Sequence, residues 1–295
     1  MGKAERIASA SIAVGLVVLA LKAVAWWLTG SAALYSDALE STVNVAASAV
    51  ALAALHFAAR PADANHPYGH DKAEFFAAVV EGVLIVVAAL SIFRHAWEVW
   101  LHPAALGAPW RGLAVNGAAT AINALWGLFL LRLAHSLLSP ALEADARHLM
   151  TDVVTSLGVI AGVTLTALTG EASIDPILAA LVGLHVLISG AGMIRRSVGG
   201  LMDMAPAPLV LERIRALVAE HASGAIEAHD LRTRHAGRLT FLDFHLVVPG
   251  AMTVADSHAI CDRIEAGLKA EMRQLVITIH VEPEIKAKRT GVPVF

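Results

Sequence analysis

The chain has 295 residues, 57% of them hydrophobic and 16% charged, with a mean hydropathy of +0.65 and a net charge of −3. Soluble globular proteins are about 45–50% apolar and about 25% charged, so a soluble enzyme, a secreted disulfide scaffold and a disordered chain are excluded. No basic block points to nucleic acid, and the single cysteine, Cys261, cannot form an internal disulfide and fits a reducing compartment.

Charge is unevenly spread: residues 1–206 hold 25 charged residues and residues 207–295 hold 22. The first part reads as membrane and the second as a small water-soluble domain. Charge-free runs locate six spans: Ile7–Leu21 continuing past Lys22 to Leu28, Ser41–Ala59, Gly82–Phe93 extended on both sides, Gly112–Leu131, Val153–Gly170 and Pro176–Ile194. Several approach the roughly 20 residues that a helix needs to cross the hydrocarbon. The first span runs into Trp26 and Trp27, which suit an interfacial belt and not a cleavage site. Lys22 lies about a turn and a half from its end and is expected to snorkel outward. One set of span ends carries Lys3, Arg6, Arg60, Lys72, Arg132, Arg147, Arg195 and Arg196, the other only Arg94 and Arg111. The positive-inside rule therefore puts both termini in the cytosol.

Span 2 carries Asp37, Glu40 and Asn44 at i, i+3 and i+7, on one helical face, and span 5 opens with His148 and Asp152 at i and i+4. An ionised group at bilayer depth costs at least about 2.5–3.5 kcal/mol, so such groups face a partner, a cavity or a cargo. Glu40, Asn44, His148 and Asp152 could converge on a divalent ion; an interhelical hydrogen-bond network is the other reading. The loop between spans 2 and 3 holds Asp63, His66 and His70, either a metal group at the membrane boundary or a solvated turn.

After Pro206 and Pro208 the pattern changes. Residues 209–221 have helical spacing, 225–234 and 239–248 read as strands around a turn at Gly237, Thr253 can cap a helix running to about Met272, and 274–281 is a third strand. The order αββαβ predicts an open α/β sandwich. It carries His229, His245, His258, His280 and Glu282, four imidazoles and a carboxylate that point to metal. His56, His95, His102, His185, His221 and His235 lack a partner at ligand spacing and are read as structural. No GxxxxGK[ST], DKTG or HExxH run is present, so ATP-driven pumping and intramembrane zinc proteolysis lack their signatures.

Four passages together, residues 22–31, 61–74, 148–152 and 228–234, resemble the cation diffusion facilitator family, close to its bacterial zinc and ferrous-iron exporters. The resemblance covers about residues 7–285. It implies six spans over residues 1–206, a metallochaperone-like cytosolic domain over 207–285, a tail at 286–295, and a homodimer in the inner membrane exchanging cytosolic divalent metal for protons. It assigns the transport site to Glu40, Asn44, His148 and Asp152, an interfacial site to Asp63, His66 and His70, and a cytosolic binuclear site to His229, His245, His258, His280 and Glu282. Lys72 and Asp203 match a charged pair that locks the family's dimer at the membrane surface. By the same resemblance the family's span-2 positions are both Asp, whereas here they are Glu40 and Asn44, and Asp37 is an alternative ligand; Glu282 stands where the family has Asp. Zinc is the leading cargo, the ligand set also admitting iron, cobalt and manganese. The rivals are a membrane-anchored metal sensor, which would bind metal without flux, and a membrane hydrolase, for which no substrate pocket is legible.

Overall fold

The structure, a computed structural model, describes residues 3–137, 140–236, 239–272, 274–288 and 292–293. Six long helices come first: α1 (Lys3–Thr29), α2 (Ala32–Ala58), α3 (Ala73–Leu101), α4 (Pro109–Leu137), α5 (Pro140–Thr169) and α6 (Ile174–Leu201). Each contains an apolar stretch of 20 to 29 residues, long enough to cross a membrane. The chain separates into two compact units, one built from residues up to Ala53 with Ala77–Ile194, the other from Ala54–Phe76 with Arg195 onward.

The helices are longer than the charge-free runs because Asp37, Glu40 and His148 lie inside them. Lipid gives helices no hydrophobic reason to associate, so close backbone approach at small residues takes over. A Cβ added at Gly82 of α3 would fall 2.6 Å from Ile194 Cγ1 and 3.2 Å from the Gly190 carbonyl of α6. One at Gly112 of α4 would meet Thr29 and the Ala25 carbonyl of α1. Leu16, Val87, Leu90, Leu125, Leu168 and Ile188 point outward as a lipid-facing surface. Trp27, Trp97, Trp100 and Trp110 are all exposed, and all sit where α1 and α3 end and α4 begins. They form an aromatic belt at one end of the bundle. Trp26 instead turns inward onto Tyr35, 5.1 Å between ring centroids.

Between α1 and α2 the chain reverses at Gly30, whose φ of +69° suits glycine. The α2 N-terminus is capped from a distance: Asp175 of α6 accepts from the Ala32 N–H at 2.6 Å, the Ala33 N–H at 3.3 Å and the Ser31 hydroxyl. A buried carboxylate there meets the orphaned N–H groups and the positive end of the helix dipole.

The second unit contains α7 (Pro208–His221), β1 (Glu227–Ala236), β2 (Leu239–Val248), α8 (Val254–Glu271), β3 (Leu275–Pro283), a 3₁₀ turn at Glu284–Lys286 and a short β4 (Val292–Pro293). The expected αββαβ order is present with one edge strand added. The sheet order is β3-β2-β1-β4, with β1 antiparallel to β2 and β4, and β2 parallel to β3. Leu242, Phe244, Leu246 and Val248 on one face of β2 pack with Ile214, Leu217 and Val218 of α7 and Ile260, Ile264 and Leu268 of α8. The Thr253 hydroxyl accepts from the Asp256 N–H at 3.1 Å and donates to its carboxylate, a cap of the kind worth about 1 kcal/mol. Both helices cover one face of the sheet, which leaves His245 on the other. The turn expected at Gly237 lies outside the described residues.

Candidate metal sites

Helices α2 and α5 run antiparallel, because Asn44 meets Asp152 while Asp37, one to two turns back, meets Ser156, one turn on. Glu40, Asn44, His148 and Asp152 thereby line one cavity of about 70 Å³, together with His185 of α6. The Asn44 amide donates to Asp152 Oδ2 at 2.8 Å, and Glu40 Oε2 is buried without a hydrogen bond. Asn44, His148 and Asp152 also face a larger vestibule of about 420 Å³, lined further by Ser11, Ser48, Glu81 and Trp126. An unbonded buried carboxylate oxygen beside an amide, a second carboxylate and two imidazoles is a donor set for a divalent ion, and the volume leaves room for water.

Lys22 departs from expectation. It does not snorkel: it is 2% exposed, its ammonium donating to Asp37 Oδ1 at 2.7 Å and Ser156 Oγ at 2.9 Å. With a carboxylate in reach inside the bundle, inward pairing wins over extension past the tryptophans. Asp37 is thus engaged by Lys22, while Asn44 shares the cavity with Asp152.

In the second unit, Asp63, His66 and His70 bring ligand atoms within 4.8 Å of one another. Asp63 accepts from the Asn65 and His66 N–H groups at 2.9 and 2.7 Å, and the His66 N–H above all holds its carboxyl below the usual range. His70 is buried with Nδ1 unbonded and its Nε2 3.5 Å from Asp63. Two residues on, Lys72 pairs with Asp203 at 2.8 Å, Arg234 joining at 3.4 Å. The Lys72 ammonium keeps Asp203 below its ordinary pKa.

On the open face of the sheet, register aligns His229 with His245 and His245 with His280. Their rings stand 5.3 and 4.9 Å apart. Glu282 reaches back over the row, at 3.3 Å from His229 Nε2, 3.4 Å from His245 Nδ1 and 3.7 Å from His280 Nε2. A β-bulge after His229, with Asp230 at a φ of +52°, brings Asp230 into ligand reach of His229 and His245. Glu227 accepts from His229 Nδ1 at 2.8 Å, the outer-shell arrangement that orients a ligating imidazole. Lys288 binds Asp230 at 2.6 Å and holds its carboxyl down. His258 does not join this group. It is exposed on α8, across the sheet, with Asp262 3.6 Å away.

Comparison with known proteins decides the family. Residues 8–202 match the cation efflux transmembrane domain and residues 206–284 the cation efflux protein cytoplasmic domain. The chain belongs to the cation diffusion facilitator family. This facilitator is 42% identical over 273 residues to an uncharacterized transporter of Synechocystis sp., covering 92% of this chain and 88% of the relative. It is 32% identical over 276 residues to the cation-efflux pump FieF of Pectobacterium atrosepticum, covering 94% and 91%. A solved zinc form of CzrB is 48% identical, covers 30% of this chain and 99% of that one, and superposes with a TM-score of 0.28. The facilitator is therefore a multi-pass membrane protein that exports cations.

Three residues at these sites were not singled out by sequence. His185 had a usable signal, since an ionisable residue mid-span is a functional candidate by default. Glu227 shares a strand face with His229 at i, i+2. Asp230 had no such signal, because strand alternation points it away from His229 and only the bulge brings it back.

Proposed function

We propose that this facilitator exports a divalent transition metal, zinc foremost, from the cytosol in exchange for protons. The carrying observation is the cavity that gathers Glu40, Asn44, His148, Asp152 and His185 from three membrane-spanning helices. Glu40 and Asp152 offset the hydration that the cation loses, Asn44 presents its amide, and His148, at the vestibule wall, trades a proton for the metal. Metal ligation requires the neutral imidazole, so loading releases a proton and protonation releases cargo. The termini are cytosolic and the membrane is the inner membrane. The His229–His245–His280 row with Glu282 binds regulatory metal, Asp63, His66 and His70 form an interfacial site, and the chain is a homodimer with Lys72 and Asp203 at the lock. A sensor that only anchors a cytosolic domain has no need of two carboxylates and two imidazoles at bilayer depth.

The test is uptake of Zn, Fe, Co and Mn into proteoliposomes with internal pH followed together. Each metal ion entering is accompanied by protons leaving, and Asp152→Ala and Asp152→Asn both abolish the flux. Zinc uptake with no pH change would overturn the exchange, and near-normal uptake by both folded variants would overturn the site.

A further inference from the structure

The cavity shares Asn44, His148 and Asp152 with the vestibule. That vestibule is lined by Ser11 and Gly15 of α1, Ser48 and Ala51 of α2 and Trp126 of α4, which lie away from the tryptophan belt along each helix. In the opposite direction stands a second polar layer. Lys22, Asp37 and Ser156 belong to α1, α2 and α5 and are 2%, 0% and 1% exposed. Lys22 donates to Asp37 Oδ1 at 2.7 Å and to Ser156 at 2.9 Å, and Ser156 donates to the same Asp37 oxygen at 2.7 Å. This clamp holds three helices together between the cavity and the belt.

We propose that the Lys22–Asp37 ion pair, braced by Ser156, is the outer gate of the transport path: closed here, it seals the cation site from the tryptophan-rich end and must part for the cation to leave. The inference rests on the reading of Glu40 and Asp152 as the cargo site.

A pair kept only to tie helices together would have its buried polar atoms satisfied, since an unbonded one is costly. Here Asp37 Oδ2 is buried without a hydrogen bond, and so is Glu40 Oε2 one turn away on the same helix. The two free oxygens face a cation with a stepwise path, from Glu40 to Asp37. A divalent ion drawn to Asp37 Oδ2 competes with the Lys22 ammonium for one carboxylate and repels it, so arrival of the cargo itself weakens the seal.

The displaced ammonium has somewhere to go. Gly112 against Ala25 and Thr29, and the Trp126 indole donating to Ser11 at 3.0 Å, fix α1 and α4 as antiparallel. That register sets Asn116 of α4 at the height of Lys22. Asn116 is fully buried, and neither its amide nitrogen nor its oxygen has a hydrogen bond. Its carbonyl is an acceptor at the right depth for the open state.

The experiment uses the full chain carrying Cys261→Ser and Ser41→Cys, in sealed, oriented vesicles. Position 41 follows Glu40 and lines the vestibule. A charged, impermeant thiol reagent labels it from the vestibule side alone when the pair is intact. In Lys22→Ser/Asp37→Ser, which removes both charges and leaves a polar space that admits water, labelling from the tryptophan-rich side rises by at least about tenfold. Ser156→Ala, which keeps both charges, gives a smaller rise of the same sign, since it removes a hydrogen bond to a charged group. One-sided labelling in both variants overturns the gate. Zinc uptake by Asp152→Ala, measured in parallel, separates the failures: persistent uptake sinks the cargo site, whereas lost uptake with one-sided labelling sinks the gate alone.

Discussion

Replacing Asn44 by Asp probes the charge of the proposed transport site most directly. In the native protein the Asn44 amide donates to Asp152 Oδ2 at 2.8 Å, so the substitution sets carboxylate against carboxylate. After relaxation to about 4 Å, at an effective dielectric of about 20, two like charges repel by about 4 kcal/mol. That is roughly a thousandfold in an equilibrium constant. A divalent cation between the two relieves the repulsion, and so does a proton. Affinity for every divalent metal should therefore rise by up to about a thousandfold where both groups are ionised, and the pH dependence should steepen as one more proton must leave before metal enters. Tighter binding slows release, so turnover falls while apparent affinity rises. Uptake of Zn, Fe, Co and Mn across pH in proteoliposomes reads both quantities. If the metal ranking and the pH profile stay as in the native protein while Asp37→Ala stops transport, Asp37 serves the site and the reasoning about Asn44 is refuted.

Substituting His245 and His280 together by Gln should remove zinc bound to the second unit while far-UV circular dichroism stays unchanged, because both rings lie on the helix-free face of the sheet; unaltered zinc stoichiometry would sink the regulatory site. Gly82→Val should destabilise the bundle by about 1–3 kcal/mol through overpacking, since even a Cβ falls 2.6 Å from Ile194; an unchanged melting temperature would contradict the close α3–α6 approach. Lys72→Ala should cost no more than ~1 kcal/mol of stability, because the pair with Asp203 is partly exposed and screened by salt. Asp203 is held below its ordinary pKa, so this contribution is present above the unfolded carboxylate pKa and is lost as pH falls through the depressed folded value. A native–variant difference that persists under strong acid would show that Lys72 acts through something other than this carboxylate.

Patterns that depend on one element's own period were legible in the sequence. The charge-free runs located all six membrane helices, the alternation of Leu242, Phe244, Leu246 and Val248 identified the core face of β2, and Thr253 marked the start of α8. What period cannot supply is the neighbour. Lys22 reads as a snorkelling residue on α1 alone, and only the packing of α2 and α5 supplies Asp37 and Ser156. His185 has no ligand-spaced partner along α6, because its companions belong to α2 and α5. The His229–His245–His280 row depends on lateral register across three strands, whereas His258 belongs to the helix layer behind the sheet. A count of imidazoles in the domain cannot separate the two layers.

The charges inside the first unit set a constraint on the cargo. With imidazoles neutral, the two polar layers hold three carboxylates, Asp37, Glu40 and Asp152, against the ammonium of Lys22. Asp37 is matched by Lys22 at 2.7 Å, which leaves a formal charge of −2 on Glu40 and Asp152. Unbalanced charge at bilayer depth costs several kcal/mol, at least about 2.5–3.5 per group. A divalent cation cancels this residue and a monovalent one leaves half of it. Asn44 matters for the same reason: as the neutral member beside Asp152 it keeps the count at two. A third carboxylate there would leave the metal-loaded site negative by one and hold the cation more tightly. The same accounting explains why Lys22 is buried and not at the interface. Without it, Asp37 would add that third charge one turn from Glu40, and the loaded cavity would hold its cation against release towards the tryptophan-rich end.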